Sequence, residues 1–201
     1  FAADTEAGCA DLEVTLTNNS IGDNLSYEWY LGDSLFSTQT DPDLLTLGQG
    51  RTDTTYLVRL EVANGCGGQT AEREITVFPR PIPVFGADFD EYCSGDTVSL
   101  SNVSYGNVDN YFWIFGEGDT FQGTSTDSVP LPVNFFVDET TVVPISLIVS
   151  NSCGVDTLVQ TITINPTNVE AFFNADATEI CAGDTICFTN FSTFIADIVY
   201  D

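Results

Sequence analysis

Phe1-Ala2-Ala3-Asp4 is a short motif that recurs as Phe85-Gly86-Ala87-Asp88 and as Phe173-Asn174-Ala175-Asp176. Each copy is followed, five residues after its aspartate, by a cysteine: Cys9, Cys93 and Cys181. The copies are 84 and then 88 residues apart. A fixed period of this length is typical of a tandem array with one small all-β domain in each repeat.

The repeats divide the 201 residues into two complete domains and a partial third. We predict the first domain at residues 1–80, the second at 81–168, and a truncated third repeat at 169–201. The third copy stops before the tryptophan and the second half of a domain that the pattern demands. We therefore expect this sequence to be a segment of a longer polypeptide.

Strand patterns recur in the same order in each repeat. Residues 12–17, 97–101 and 185–189 alternate apolar and polar side chains, which predicts strands with one buried face. Aromatic runs follow in both complete repeats, and we expect their tryptophans, Trp29 and Trp113, to lie in the core. Each complete repeat then ends in a hairpin with the turn Asn-x-Cys-Gly. The sequence therefore predicts an all-β chain of tandem Ig-like β-sandwiches, arranged end to end.

The segment between the first two repeats is rich in proline. Residues 78–83 read Phe-Pro-Arg-Pro-Ile-Pro, with three prolines within five residues. Because proline restricts φ, this composition predicts a stiff, extended spacer. Two sandwiches of about 35 to 40 Å each would then span about 75 Å along one axis.

The charge of the chain limits its partners. Thirty acidic residues stand against four arginines and no lysine, which gives a net charge of −26. Such a surface repels phosphate backbones and anionic lipids, so we expect neither nucleic acid binding nor direct membrane insertion. No stretch is apolar over the roughly 18 residues of a membrane helix. High acidity also keeps a protein soluble in a salty exterior, where charge repulsion is screened.

Six cysteines and the lack of histidine point to disulfides rather than to catalysis or zinc binding. Zinc sites need close cysteine pairs or histidines, and neither is present. Without histidine, Ser-His and Cys-His nucleophile systems are also excluded. We therefore expect a non-enzymatic protein from an oxidising, extracellular compartment.

The repeating cysteines allow two pairing schemes. Matching within a repeat would join Cys9 to Cys66 and Cys93 to Cys153. In an Ig-like topology, however, these partners lie at opposite poles, about 20 Å or more apart, whereas a disulfide needs Cα atoms within about 7 Å. Stacking in tandem favours Cys9 with Cys153 across the joint, with Cys66 and Cys93 serving neighbouring domains. We assign Cys181 to the same repeating set and leave Cys187 outside it, because its strand position faces outward.

Several of these features resemble the PKD (polycystic kidney disease) repeat. The resemblance rests on a strand that ends in Thr/Ser-Asn-x-Ser (residues 17–20, 101–104 and 189–192), on the aromatic-x-Trp run and on the final hairpin. The version with a cysteine before the second strand is similar to arrays in surface adhesins and gliding-associated proteins of Bacteroidota. PKD-like modules usually act as spacers and adhesive stalks. The resemblance therefore implies a structural or adhesive segment of an exported, cell-surface or filamentous protein.

This resemblance also implies the kinds of partner and leaves alternative functions open. Expected partners are neighbouring repeats, copies of the same chain, surface polysaccharide or other cells. One alternative is an accessory spacer or carbohydrate-binding region of a secreted hydrolase. Another is self-assembly through the incomplete repeat.

Two further kinds of site are hypotheses from the sequence. Asp4, Asp88 and Asp176 recur near the domain junctions, where a shared calcium ion could rigidify tandem sandwiches. The alternative is that each aspartate accepts hydrogen bonds from backbone N–H groups. We expect no cofactor other than calcium. Asp-Ser/Thr-aliphatic triplets resemble the O-glycan acceptors of Bacteroidota, or else they are turn residues that lead into strands. These acceptor positions are Ser34, Thr97, Ser128, Thr157 and Thr185.

Overall fold

A computed structural model describes residues 1–167 and 172–192. Two β-sandwiches, here called unit 1 and unit 2, make up most of it. The strands of unit 1 are β1 (Ala2–Ala3), β2 (Ala7–Cys9), β3 (Leu12–Val14), β4 (Leu16–Thr17), β5 (Ser26–Leu31), β6 (Ser34–Ser37), β7 (Leu45–Leu47), β8 (Thr54–Asn64) and β9 (Gly67–Phe78). The strands of unit 2 are β10 (Phe85–Ala87), β11 (Glu91–Cys93), β12 (Thr97–Val98), β13 (Leu100–Asn102), β14 (Asn110–Phe115), β15 (Gly123–Ser125), β16 (Val133–Asn134), β17 (Thr141–Asn151) and β18 (Gly154–Asn165). A short 3-10 helix (Gly118–Thr120) precedes β15.

Both units have the same sheet topology. One layer of unit 1 is a five-stranded sheet in the order β2-β9-β8-β5-β6, and unit 2 repeats it as β11-β18-β17-β14-β15. In each sheet the first pair is parallel and the other pairs are antiparallel. The second layer consists of the pairs β1-β4 and β3-β7 in unit 1, and β10-β13 and β12-β16 in unit 2. The prediction of two tandem Ig-like sandwiches is confirmed.

Each unit has its own hydrophobic core between its two layers. Trp29 and Trp113 are fully buried at corresponding positions. Phe1 and Phe85, the first residues of the repeated motif, contact these indoles edge to face, with ring centroids 5.1 Å apart in both units. The indole N–H groups donate to the carbonyls of Gln39 at 3.0 Å and Asp127 at 2.9 Å. In units 1 and 2 the repeated phenylalanine therefore packs against the core tryptophan.

Part of the third repeat is also described. Strands β19 (Phe173–Ala175) and β20 (Phe188–Asn190) form an antiparallel pair that matches β1-β4 and β10-β13. The Phe173 and Phe188 rings are 5.6 Å apart. Throughout residues 1–167 and 172–192, no helix combines the length and apolar character needed to span a membrane.

Candidate functional site

The joint between unit 1 and unit 2 contains a disulfide. Cys9 is bonded to Cys153, with the Cα atoms 5.4 Å apart across a sequence separation of 144 residues. Cys9 ends β2 beside Phe78, the last residue of β9, whereas Cys153 lies in the turn between β17 and β18. The structure thus contains the cross-domain pair, which rules out Cys9–Cys66 and Cys93–Cys153 in the same molecule.

The other four cysteines lie within the described residues, and there each is an exposed free thiol. They are Cys66, Cys93, Cys181 and Cys187. Cys66 occupies the turn of unit 1 that matches the Cys153 turn, and Cys93 ends β11 as Cys9 ends β2. Cys66, Cys93 and Cys181 have no disulfide partner among the described residues, so their pairing with neighbouring domains stays a prediction.

The proline-rich connector is fixed to both units. Pro79, Pro81 and Pro83 are all buried, and the Arg80 side chain between them donates from Nε to the Ala10 carbonyl at 2.7 Å. The Arg80 N–H also donates to the Gln49 side chain at 2.9 Å, so this part of the connector belongs to unit 1. Ile82 then pairs with Tyr105 of unit 2 through two backbone hydrogen bonds of 2.8 and 3.1 Å.

Two surface loops meet beside the connector. Arg51 of unit 1 places its guanidinium 4.8 Å from the Tyr105 ring centroid and accepts, through its carbonyl, the N–H of Gly106 at 3.0 Å. Asn107 donates to the Asp53 carboxylate at 2.6 Å. Gly106 has φ +93°, and a Cβ there would collide with the Arg80 carbonyl, so this contact requires glycine.

Asn151 completes the joint from the final hairpin of unit 2. Its amide nitrogen donates to the carbonyls of Pro79 at 2.8 Å and Gly106 at 2.6 Å. Its side-chain oxygen accepts the Cys153 N–H at 2.8 Å, which positions the disulfide turn. The joint thus combines a covalent bond, a buried proline connector and paired loops. The sequence indicated the cysteines and prolines, but not the loop contacts.

The three repeated aspartates have one common role in the structure. Each exchanges hydrogen bonds with a residue of the predicted strand 12–17, 97–101 or 185–189 of its own repeat: Asp4 with Thr15, Asp88 with Ser99, and Asp176 with Cys187. In each pair the aspartate N–H donates to the partner carbonyl and the carboxylate accepts the partner N–H. Among the described residues, no three acidic or cysteine side chains are grouped to hold a metal ion. These contacts agree with the alternative that each aspartate accepts hydrogen bonds from backbone N–H groups. Calcium binding stays an untested prediction.

The five glycan-acceptor positions are all exposed. Ser34 begins β6, Ser128 lies in a loop, Thr97 and Thr157 are on strands, and Thr185 follows the Cys181 turn. The Thr157 N–H donates to the Asp156 carboxylate at 2.7 Å, as expected of a local turn-type contact. A sugar could reach every one of these hydroxyls, and glycosylation stays a prediction.

The outer faces of the two five-stranded sheets differ in charge. In unit 1, acidic side chains surround Arg59, which lies 4.4 Å from the Tyr30 ring centroid and 3.2 Å from the Glu61 carboxylate. At the matching positions of unit 2 the outward side chains are apolar or carry hydroxyls. This uncharged face is formed by Phe112, Ile114, Val142, Pro144, Ser146, Ile148, Val155, Thr157 and Val159. In a chain of net charge −26, such a face is unusual.

Comparison with known proteins supports the fold. No family model and no curated protein sequence matches the chain. The full ectodomain of mouse nectin-like molecule 4, with domains Ig1–Ig3, aligns over 83% of this chain at 15% identity and a TM-score of 0.50. The chain spans 63% of that ectodomain. Three N-terminal domains of the bacteriophage RB49 outer capsid protein Hoc align over 98% of this chain and 69% of their own, at 12% identity and a TM-score of 0.41. At 15% identity the likeness to the nectin-like ectodomain concerns the fold alone.

Proposed function

We propose that this chain is part of an exported array of PKD-type Ig-like units that acts as a stiff, extended stalk at a cell surface or in a filament. The observation that carries this proposal is the joint, where a disulfide, a buried proline connector and paired loops all restrict movement between units. Each restraint is of a kind that a flexible linker lacks. The proposal assigns no catalytic activity to the chain.

An extracellular location is supported by two features. Disulfides between sequence-distant cysteines persist in oxidising compartments. The chain also shares its fold with the ectodomain of a nectin-like molecule. The cell-surface or filamentous setting, and the PKD type of the repeats, are parts of the proposal.

Small-angle scattering of the whole chain tests the stalk. We expect an extended particle in which units 1 and 2 together span about 75 Å. The scattering curve should not change when a chelator is added. On reduction, the distribution of distances within the particle should broaden only modestly, because the connector and loop contacts remain. A compact, side-by-side pair of units under all conditions would contradict the stalk. Collapse on chelation would instead assign the stiffness to a bound ion.

Association between copies is a second candidate function, and the uncharged face of unit 2 favours it. Two molecules with this net charge repel each other over most of their surfaces, so the face without charge is where a second copy can approach at least cost. Three strands over about seven residues cover roughly 350 Å² per copy, which is well below the area of a standard interface. We therefore propose a weak contact that gains strength when many units act together.

Sedimentation velocity over a concentration series tests this association. The double variant Phe112→Glu/Ile148→Glu reproduces the acidic pattern of Glu28 and Glu61 in unit 1, and we expect it to abolish concentration-dependent association. Leu44→Glu, an exposed apolar position of unit 1 outside the sheet face, is the matched control and should leave association unchanged. Loss of association in both variants, or in neither, would contradict the assignment.

A further inference from the structure

A groove of about 470 Å³ opens at the pole of unit 1 beside the Asn64–Gly67 turn. This turn lies at the opposite end of the β8-β9 hairpin from Phe78, so the groove is remote from the joint with unit 2. Its lining includes the apolar side chains of Phe1, Ile21 and Leu25. Ile21 is 96% exposed.

In unit 2, the corresponding place is filled by the connector. Ile82 and Tyr105 exchange two backbone hydrogen bonds, and Tyr105 is the counterpart of Ile21. The Val84 N–H donates to the Ser104 hydroxyl at 3.0 Å, and the Val84 carbonyl accepts the Val103 N–H at 2.9 Å. The segment of residues 82–84 thus runs as a short strand along residues 103–105.

The third repeat shows the same arrangement. Phe172 stands directly before the repeated phenylalanine, as Val84 does in unit 2. Its N–H donates to the Ser192 hydroxyl at 3.0 Å, and its carbonyl accepts the Phe191 N–H at 2.7 Å. Two of the three repeats therefore bind the residue before their motif through one backbone N–H and one serine hydroxyl.

Unit 1 has the same arrangement of asparagine and serine as the other two repeats. Asn18 accepts the Ser20 N–H at 2.9 Å, as Asn102 accepts that of Ser104 at 2.9 Å and Asn190 that of Ser192 at 2.8 Å. Within residues 1–167 and 172–192, the Asn19 N–H and the Ser20 hydroxyl donate to no other residue. Ser20 lines the groove, and Asn19, directly before it in the chain, is exposed.

We propose that this groove binds an extended aliphatic-Pro-aliphatic peptide segment, the connector of another Ig-like unit of this repeat type. The segment enters with its carboxyl end toward Phe1, its last residue bridges the Asn19 N–H and the Ser20 hydroxyl, and the residue two positions earlier pairs with Ile21. A basic residue such as the Arg80 of this chain's own connector also favours docking on an acidic molecule. This inference rests on the proposed tandem role. It identifies the groove as the surface of unit 1 that recognises the connector of a partner unit.

The first experiment uses a synthetic peptide with the sequence of residues 78–84, Phe-Pro-Arg-Pro-Ile-Pro-Val, and a free carboxyl end. Titrated into the whole chain, it should shift the amide NMR signals of Asn19, Ser20 and Ile21 and slow hydrogen exchange of the Asn19 amide by about tenfold at saturation. The same peptide with its last residue N-methylated lacks the donor to Ser20 and should bind about fivefold or more weakly.

Matched protein variants locate the binding. Ser20→Ala and Ile21→Asp should each weaken binding by about fivefold or more, whereas Ser34→Ala and Leu44→Asp, at exposed positions elsewhere in unit 1, should not change it. Equal effects in all four variants, or peptide-induced shifts confined to other surfaces, would overturn the assignment.

A fusion of the peptide to the protein tests the same contact if the free peptide binds too weakly. The seven residues fused before Phe1 should protect the Asn19 amide from exchange, relative to a Gly-Ser extension of the same length, and Ser20→Ala should remove the difference. Equal exchange in both fusions would refute the inference. The stalk itself is judged separately by scattering of the unmodified chain, so either proposal can fail alone.

Discussion

Tyr92 connects two parts of unit 2 through its hydroxyl. The hydroxyl accepts the Phe89 N–H at 3.0 Å and donates to the Asp88 carboxylate. Burial, together with the hydrogen bond to Asp88, raises the pKa of Tyr92 to about 12. The same hydrogen bond lowers the pKa of Asp88. Tyr92 therefore stabilises the folded state while its hydroxyl is neutral.

We expect Tyr92→Phe to lower the free energy of unfolding of unit 2 by about 1 to 2 kcal/mol near neutral pH, since two hydrogen bonds are lost. Because the folded-state pKa is raised, this stabilisation is complete below about pH 10 and is lost as the pH rises toward about 12. Urea unfolding measured across this range should therefore be less steeply pH-dependent in the variant. Tyr30→Phe, whose exposed hydroxyl donates to Glu28, is the control and should change stability by less than about 0.5 kcal/mol.

The repeated sequence motif identifies Asp88 as a notable residue, but it does not identify Tyr92. Gly8 and Ile180 stand at the positions of Tyr92 in the other repeats, so this hydroxyl occurs once in the chain. A contact that belongs to a single repeat leaves no periodic signal. The contacts of Arg51 and Asn107 could not be predicted from the repeat pattern either, because each residue contacts a neighbouring unit rather than its own core.

The strands were predictable in place and order, but not in their interruptions. Residues 12–17 were predicted as one strand, whereas the structure divides them into β3 and β4 at Thr15. At Thr15 the N–H bonds to the Asp4 carboxylate instead of joining a sheet ladder. Ser99 divides β12 and β13 in the same way through Asp88. Side-chain competition for a single N–H does not alter the apolar-polar alternation from which the strand was predicted.

The two final hairpins offer a matched pair of turns. In both, the Asn-x-Cys-Gly asparagine accepts the cysteine N–H, at 2.9 Å for Asn64 and 2.8 Å for Asn151. In both, the asparagine amide also donates to a loop carbonyl of its own unit, Asp23 at 3.3 Å for Asn64 and Gly106 at 2.6 Å for Asn151. Only the Asn151 amide donates across the joint as well, to the Pro79 carbonyl at 2.8 Å. The same residue thus stabilises a turn in unit 1, and a turn and a joint in unit 2.

We expect Asn151→Ala to destabilise the protein by about 1 kcal/mol more than Asn64→Ala, because it loses the additional hydrogen bond to the Pro79 carbonyl across the joint. Thermal unfolding of both variants measures the difference. Hydrogen exchange should be faster at the Gly106 amide in Asn151→Ala but unchanged there in Asn64→Ala. Equal losses of stability would show that the contacts across the joint contribute nothing measurable.

The net charge of −26 should govern how the whole molecule responds to ions. The two ion pairs found among the described residues, Arg59–Glu61 and Arg73–Glu6, are partly or fully exposed and contribute little. Screening of repulsion should therefore dominate, and we expect the melting temperature to rise by a few degrees between low salt and about 0.5 M NaCl.

Calcium chloride at equal ionic strength separates screening from specific binding. If the repeated aspartates only bind backbone, the melting temperature should follow ionic strength in both salts. An additional, saturable rise at submillimolar calcium that is lost in the Asp4→Asn, Asp88→Asn or Asp176→Asn variants would instead support the calcium hypothesis.

The disulfide and the two cores are separate sources of order, so they can be tested independently. The hydrophobic clusters of units 1 and 2 share no residue, and neither includes Cys9 or Cys153. We therefore expect Cys9→Ser/Cys153→Ser to leave both sandwiches folded, with exchange of the core amides of Val58 and Leu147 unchanged. The Gly106 amide, which bonds to the Arg51 carbonyl across the joint, should exchange at least about tenfold faster. Cys66→Ser/Cys93→Ser removes two exposed free thiols and should alter neither set of amides. Unchanged exchange at Gly106 in the first variant would mean that the connector and loops alone hold the joint.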